Sequence, residues 1–143
     1  MTKRIPVVDG LFAETPEGPR LLGSRCRTCG TPSFPRASVC RNPGCREGAV
    51  EDAKFGPAGT LWSYAVQHYP PPAPAKYDQP YVPYVLGLVD MRDGIRILGR
   101  MSDVEGTAGL RIGMPVELVV EKLYTDPDGN EVLTWKFRPD RAA

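Results

Sequence analysis

Residues 26–30, CRTCG, and residues 40–45, CRNPGC, decide how this 143-residue chain is read. They contain all four of its cysteines, Cys26, Cys29, Cys40 and Cys45, in the pattern C-x2-C-x10-C-x4-C. In a compartment that keeps thiols reduced, such pairs serve as metal ligands rather than as a disulfide framework. Two thiolates on each of two tight turns close a tetrahedron with metal–sulfur distances of about 2.3 Å, the structural zinc arrangement. Gly30 after the first pair, and Pro43 and Gly44 inside the second, suit the turns. Four cysteine ligands leave no open position for water or substrate, so a metal here holds the fold and does not catalyse. Rubredoxin-type iron uses the same ligands, and four free cysteines are the remaining alternative.

The surroundings of the cysteines are basic. Residues 20–46 contain Arg20, Arg25, Arg27, Arg36, Arg41 and Arg46 and no acid, whereas residues 47–143 carry ten basic and fourteen acidic side chains. Four thiolates and one divalent metal would leave the segment at about +4. The formal net charge of +1 conceals this split and argues against a nucleic-acid surface covering the whole chain.

Beyond residue 55 the pattern is one of short strands. Leu61–Tyr69 alternates, with Trp62, Tyr64 and Val66 on one face and Leu61, Ser63 and Ala65 on the other. Residues 69–83 hold six prolines and form an extended loop. Its tyrosines make a candidate ligand or partner surface, the alternative being a solvated linker. Tyr84–Met91 and Ile95–Met101 are strands joined at Arg92-Asp93-Gly94; Pro115–Thr125 and Glu131–Arg138 are strands joined at residues 126–130. Leu133, Trp135 and Phe137 are expected on one face. Five strands with long links after the first and third suit a five-stranded OB-fold barrel, an open antiparallel sheet being the alternative. The expected organisation is mainly β: an N-terminal arm over 1–19 with a short helix at Val8–Ala13, a zinc ribbon over 20–55 and an OB-fold over 56–143.

The single histidine, His68, excludes histidine-rich metal sites, and no phosphate-cradling loop, dinucleotide fingerprint or Gly-x-Ser-x-Gly elbow is present. His68 reads as a solvated loop-edge residue. The N-terminus lacks the apolar core of a secretory signal and no stretch approaches the roughly 20 apolar residues of a membrane span, so a soluble, cytoplasmic protein is expected.

The ordered combination of residues 21–30 (LLGSRCRTCG), 34–36 (FPR), 56–64 (GPAGTLWSY), 83–89 (PYVLGLV) and 110–116 (LRIGMPV) resembles one family, over roughly residues 10–138. This is the family of zinc-ribbon plus OB-fold accessory subunits of thiolase-like enzymes acting on acyl-CoA, such as the small subunit of benzoylsuccinyl-CoA thiolase. The four-residue gap between Cys40 and Cys45 departs from the two residues usual in that family. The resemblance implies a rubredoxin-like ribbon and a subunit without a nucleophile of its own. It also implies docking on a thiolase-like subunit, in a hetero-oligomer around a thiolase dimer, where the small protein completes or shields the acyl-CoA site. The absence of a hydratase-like extra domain favours the stand-alone thiolase type, with aromatic-compound degradation as one setting. Coenzyme A carries phosphates that arginines bind bidentately. Arg25, Arg27, Phe34, Arg36, Arg41, Tyr69, Tyr81 and Tyr84 are therefore the expected contacts for coenzyme A or the partner. A single-stranded nucleic-acid binder is the alternative function, opposed by the acidic barrel.

Overall fold

The computed structural model describes residues 3–45 and 48–140, which form ten strands and no helix. In chain order these are β1 (Arg4–Pro6), β2 (Phe12–Thr15), β3 (Gly18–Cys26), β4 (Pro32–Ser33), β5 (Val50–Phe55), β6 (Ala58–Gln67), β7 (Tyr84–Met91), β8 (Arg96–Met101), β9 (Pro115–Thr125) and β10 (Glu131–Pro139). The last five close a barrel in the order β6-β7-β8-β10-β9, with β9 returning to β6. The contact between β8 and β10 is parallel and the other four are antiparallel. This is the OB-fold barrel. Closure leaves no free edge within the five strands. The second sheet is built on β3, which pairs antiparallel with β2 at its start and with β4 and β5 towards its end.

Strict alternation explains β7 and β8. Val85, Gly87, Val89 and Met91 point inward, as do Ile97, Gly99 and Met101, while the residues between them face out. The Asp-Gly turn between them works because Gly94 takes φ +94°, which a side chain would disfavour. Two other strands carry an irregularity, and only in β6 does it break the expected alternation. A bulge between Leu61 and Ser63 turns Trp62 outward, so Tyr64 and Val66 pack on the core while Trp62 does not. In β10 the register shift falls between Val132 and Leu133, and from Leu133 to Pro139 the pairing with β9 is regular. Leu133, Trp135 and Phe137 therefore share one face, as expected, with Phe137 in the core and Trp135 packed against it. Residues 69–83 are extended and irregular, as six prolines require.

The N-terminal arm is not helical. Residues 4–6 form β1, laid parallel on β10, and residues 12–15 form β2. The Val8–Ala13 segment, whose last two residues enter β2, contains β-branched Val8 and Gly10 at φ +85°, neither suited to a helix. Its flanking backbone groups bond elsewhere, Val7 N–H to Leu133 C=O and Leu22 N–H to Leu11 C=O. The arm thus ties the barrel to the second sheet.

One core serves both sheets. Leu21 of β3 and Phe55 of β5 are fully buried in a cluster with Leu61, Val89, Val116, Leu118 and Phe137 of the barrel. Phe55 ends β5 three residues before β6 begins, so its ring plugs the junction. Replacing Phe55 by alanine removes the largest of these links and should cost about 3–5 kcal/mol. We expect a lower denaturant midpoint, with the ribbon and barrel signals still falling together. A midpoint equal to that of the parent would show that the junction does not depend on this ring.

Candidate metal centre

β3 delivers Cys26 at its C-terminal end, and the chain then turns back on itself. Cys26 donates its N–H to Thr31 C=O at 3.0 Å and Gly30 donates to Cys26 C=O at 3.0 Å, with Gly30 at φ +79°. The second turn is organised by Asn42, whose side-chain oxygen accepts the Gly44 N–H at 3.0 Å and whose carbonyl accepts the Cys45 N–H at 2.9 Å. The four Sγ atoms lie within 4.8 Å of one another. Cys26 and Cys45 are 3.7 Å apart and Cys29 and Cys40 are 3.5 Å apart, sulfur to sulfur. A tetrahedral zinc with bonds of about 2.3 Å needs sulfur–sulfur edges of about 3.8 Å. The four-residue gap of the second pair thus does not prevent the sulfurs from meeting.

The electrostatics also fit a cation. The N–H groups of Cys29 and Thr28 point at Cys26 Sγ and lower its pKa. The Thr31 hydroxyl, with its backbone N–H, lowers Cys29 to about 6. At Cys40 the Asn42 N–H favours the thiolate, but burial and the neighbouring sulfurs of Cys29, Cys26 and Cys45 outweigh it, and the thiol is pushed up to about 12. Thiols this close do not all ionise unaided at neutral pH; a divalent cation supplies the missing compensation. The donors are soft, four in number and tetrahedral in spacing, which suits zinc.

The arginines around the centre are largely engaged in structure. Arg25 donates to Gly30 C=O at 2.8 Å and to Asp93 C=O at 3.0 Å, spanning from the first cysteine turn to the β7–β8 hairpin. Asp93 in turn accepts the Gly56 N–H at 2.7 Å, so one hairpin tip holds both β3 and the junction before β6. Arg27 pairs with Glu51 at 3.7 Å and Arg36 with Asp52 at 3.0 Å. Arg20 turns onto the Pro19 carbonyl. Arg41 has no acidic partner among the described residues, and Arg46 lies outside them. Phe34 packs edge-on against Trp135 of β10, ring centres 5.4 Å apart, which makes it a contact between the two sheets.

The tyrosines lie elsewhere. Tyr84 begins β7, whereas Asp93 follows its end, roughly 23 Å away along the strand. Tyr81 donates to Gln67 C=O at 2.7 Å, burial raises its pKa, and its ring meets those of Tyr77 and Tyr84 edge-on. Arg100 lies 3.5 Å over the Tyr84 ring. Tyr69 is exposed, as is His68. The residues expected to contact coenzyme A or a partner therefore form two groups at opposite ends of β7. None of them lines the cavity of about 730 Å³ beneath residues 103–115. Asp93 is legible only as a hairpin-turn residue, and the sequence does not mark Thr31, Asn42 or Arg100 as site residues. Of these only Asn42, in an Asn-Pro-Gly turn between two cysteines, carries a local signal.

A ribbon with four converging thiols, bonded into the side of an OB-fold barrel, defines a two-module metal-binding β protein. The chain belongs to the DUF35 family of ChsH2-type proteins: the model for the ChsH2 rubredoxin-like zinc ribbon domain matches residues 18–51, and that for the ChsH2 C-terminal OB-fold domain matches residues 53–121. It is 34% identical over 121 residues to a DUF35 domain-containing scaffold protein of Methanocaldococcus jannaschii, covering 83% of this chain and 81% of that one. It is 30% identical over 120 residues to the benzoylsuccinyl-CoA thiolase subunit BbsA of Thauera aromatica, covering 84% and 76%. Among solved structures it is similar to the Ltp2-ChsH2(DUF35) aldolase, with a TM-score of 0.58 and 30% identity over 84% of each chain.

Two outcomes are expected. Cys29→Ser should lower bound zinc from about one per chain to a small fraction of that, by elemental analysis, and expose the remaining thiols to a chromogenic disulfide reagent. Full zinc retention would contradict the four-thiol site. The second concerns the proline loop, which Asp78 fastens by accepting the Thr125 N–H at 2.8 Å beside Lys122. These two contacts, the backbone bond first, lower the Asp78 pKa below the usual value of about 3.9. The fastening therefore stabilises the folded state above that pH and is lost as pH falls through the lowered value. The Thr125 amide resonance should titrate below pH 3.9, roughly; a midpoint at or above that value would contradict the assignment.

Proposed function

We propose that this chain is a non-catalytic accessory subunit that docks on a thiolase-like enzyme and helps to form or shield its acyl-CoA site. The supporting observation is the correspondence, over most of the chain and through both modules, with a scaffold protein, a thiolase subunit and a component of an aldolase assembly. The reaction served would be thiolytic or retro-Claisen carbon–carbon cleavage, with aromatic-compound degradation as one setting.

In this reading Cys26, Cys29, Cys40 and Cys45 hold a structural zinc that fixes the ribbon, and the partner subunit provides the nucleophile. The working division is an arm over 1–19, a ribbon over 20–55 and a barrel over 56–143. Coenzyme A, where it reaches this subunit, would meet the guanidinium least engaged internally, Arg41, or draw Arg27 and Arg36 from exposed ion pairs that contribute little. Arg25 and Phe34 would act by holding the ribbon on the barrel. Tyr69, Tyr81 and Tyr84 belong to the other end of the barrel and would meet the partner. Nucleic-acid binding is less well supported, because Arg25, Arg27 and Arg36 are already matched by carbonyls or carboxylates and do not present a free basic groove.

Co-expression with thiolase-like proteins of the same organism, followed by size-exclusion chromatography at micromolar concentration, tests the assignment. A single heteromeric peak containing both chains is expected, and two separate peaks would remove the reading. Within a complex so formed, Arg41→Ala should weaken calorimetric coenzyme A binding about tenfold if that guanidinium meets a phosphate.

A further inference from the structure

The outside of the barrel is not uniform. On the β9–β10 side the outward side chains are charged and matched, Arg138 with Glu117 at 2.7 Å and Lys136 with Glu121 at 3.8 Å. Lys122 beside them is paired with Asp78 at 3.4 Å. This is the solvated surface a barrel normally presents. The β6–β7–β8 side is different. Leu88 pairs with Ser63 on one side and with Leu98 on the other, and Leu86 pairs with Ala65 and Arg100 in the next outward row. Trp62, turned out by the bulge in β6, extends the strip; Trp62 is 48% and Leu98 55% exposed. Three leucines, an alanine and a tryptophan therefore adjoin one another on the outside of three neighbouring strands, where a barrel core has no use for them.

The charges at the two ends of this strip differ. At the Trp62 end, Arg96 forks onto both oxygens of Asp90, at 2.5 and 3.2 Å, and lies 3.8 Å over the Trp62 ring. That end is neutral and held in place. At the other end Arg100 is half-buried over Tyr84, beside Tyr81, with no carboxylate paired to it among the described residues. A guanidinium already fixed on a ring and lacking an acid is preorganised for a carboxylate brought from outside.

We propose that the outer face of β6–β7–β8 is the surface by which this chain docks on its larger partner, and that the partner brings an apolar segment with an aspartate or glutamate placed to meet Arg100. The proposal rests on the accessory-subunit reading and adds the docking face, which that reading leaves open. A second copy of this chain is a poorer occupant. A two-fold contact sets the strip against itself and offers no free acid for either Arg100. The fixed Trp62 and Arg100 side chains lose little rotamer freedom on binding, and aromatic and arginine anchors of this kind carry most of an interface's energy.

The test uses the whole 143-residue chain and a thiolase-like protein of the same organism with which it assembles. Leu98→Glu changes an outward side chain, so its circular dichroism, thermal midpoint and zinc content should match the parent. Its affinity for the partner should fall about tenfold or more. Arg100→Gln should weaken association and flatten its salt dependence. Arg138→Gln, on the β9–β10 side, should leave association unchanged. If the parent assembles and Leu98→Glu assembles equally well, the docking face is wrong and the accessory role stands. If Arg138→Gln is the variant that disrupts assembly, the opposite face is the interface. If the parent assembles with no thiolase-like protein of its organism, the accessory reading falls and this proposal falls with it.

Discussion

The crowding of four sulfurs is the constraint on which the ribbon depends. Between Cys26, which ends β3, and Val50, which begins β5, the described residues contain no sheet beyond the two residues of β4, and the only hydrophobic side chain buried among them is Ala37. Hydrophobic burial cannot offset the entropy of ordering such a segment. What organises it is local and polar: backbone N–H groups aimed at sulfur, an Asn42 turn, and the Ser24 hydroxyl accepting the Ala37 N–H at 2.9 Å. These contacts point the thiols at one another, which is unfavourable for four thiolates unless a cation sits among them. Folding of the segment and metal affinity are then the same quantity.

That local order reaches the barrel through contacts of another kind. Phe55 and Leu21 enter the barrel's own core, Phe34 meets Trp135, and Arg25 and Asp93 join the first cysteine turn to the β7–β8 hairpin. The arm adds a strap, with β1 on β10 and β2 on β3. A ribbon attached this way is a rigid extension of the barrel. Its arginines were attractive as anion ligands because they cluster in sequence. In space Arg27 and Arg36 are paired with Glu51 and Asp52 of β5 and Arg25 is held by carbonyls of the first cysteine turn and the hairpin, so the basic cluster is dispersed.

How much of this was legible in the chain follows from the range of each interaction. The cysteine spacing, the Asp-Gly hairpin and the alternation of Tyr84–Met91 are short-range signals, and each corresponds to what the fold contains. The helix expected at Val8–Ala13 failed because a segment of low intrinsic order takes the structure of whatever edge it meets, here β10 and β3. The face of Trp62 is not legible because a bulge moves a side chain across the sheet without leaving a mark in composition. Asp93 read as a turn residue, which it is. Its bonds to Gly56 and Arg25 span 37 and 68 positions and have no local signature.

The same distinction separates the two kinds of surface on the barrel. An OB-fold closes its hydrogen bonds internally, so its exterior is free of backbone constraints and only side chains decide whether a face is solvated or covered. On β9 the acids Glu117 and Glu121 face the bases Arg138 and Lys136 of β10 and pair with them. On β6, β7 and β8 they are leucines and a bulged tryptophan between one neutralised arginine and one with no acid paired to it among the described residues. Since neither the core nor the ribbon uses that second set, its chemistry is directed outward. The bulge that defeated the simple reading of β6 is also what places Trp62 there.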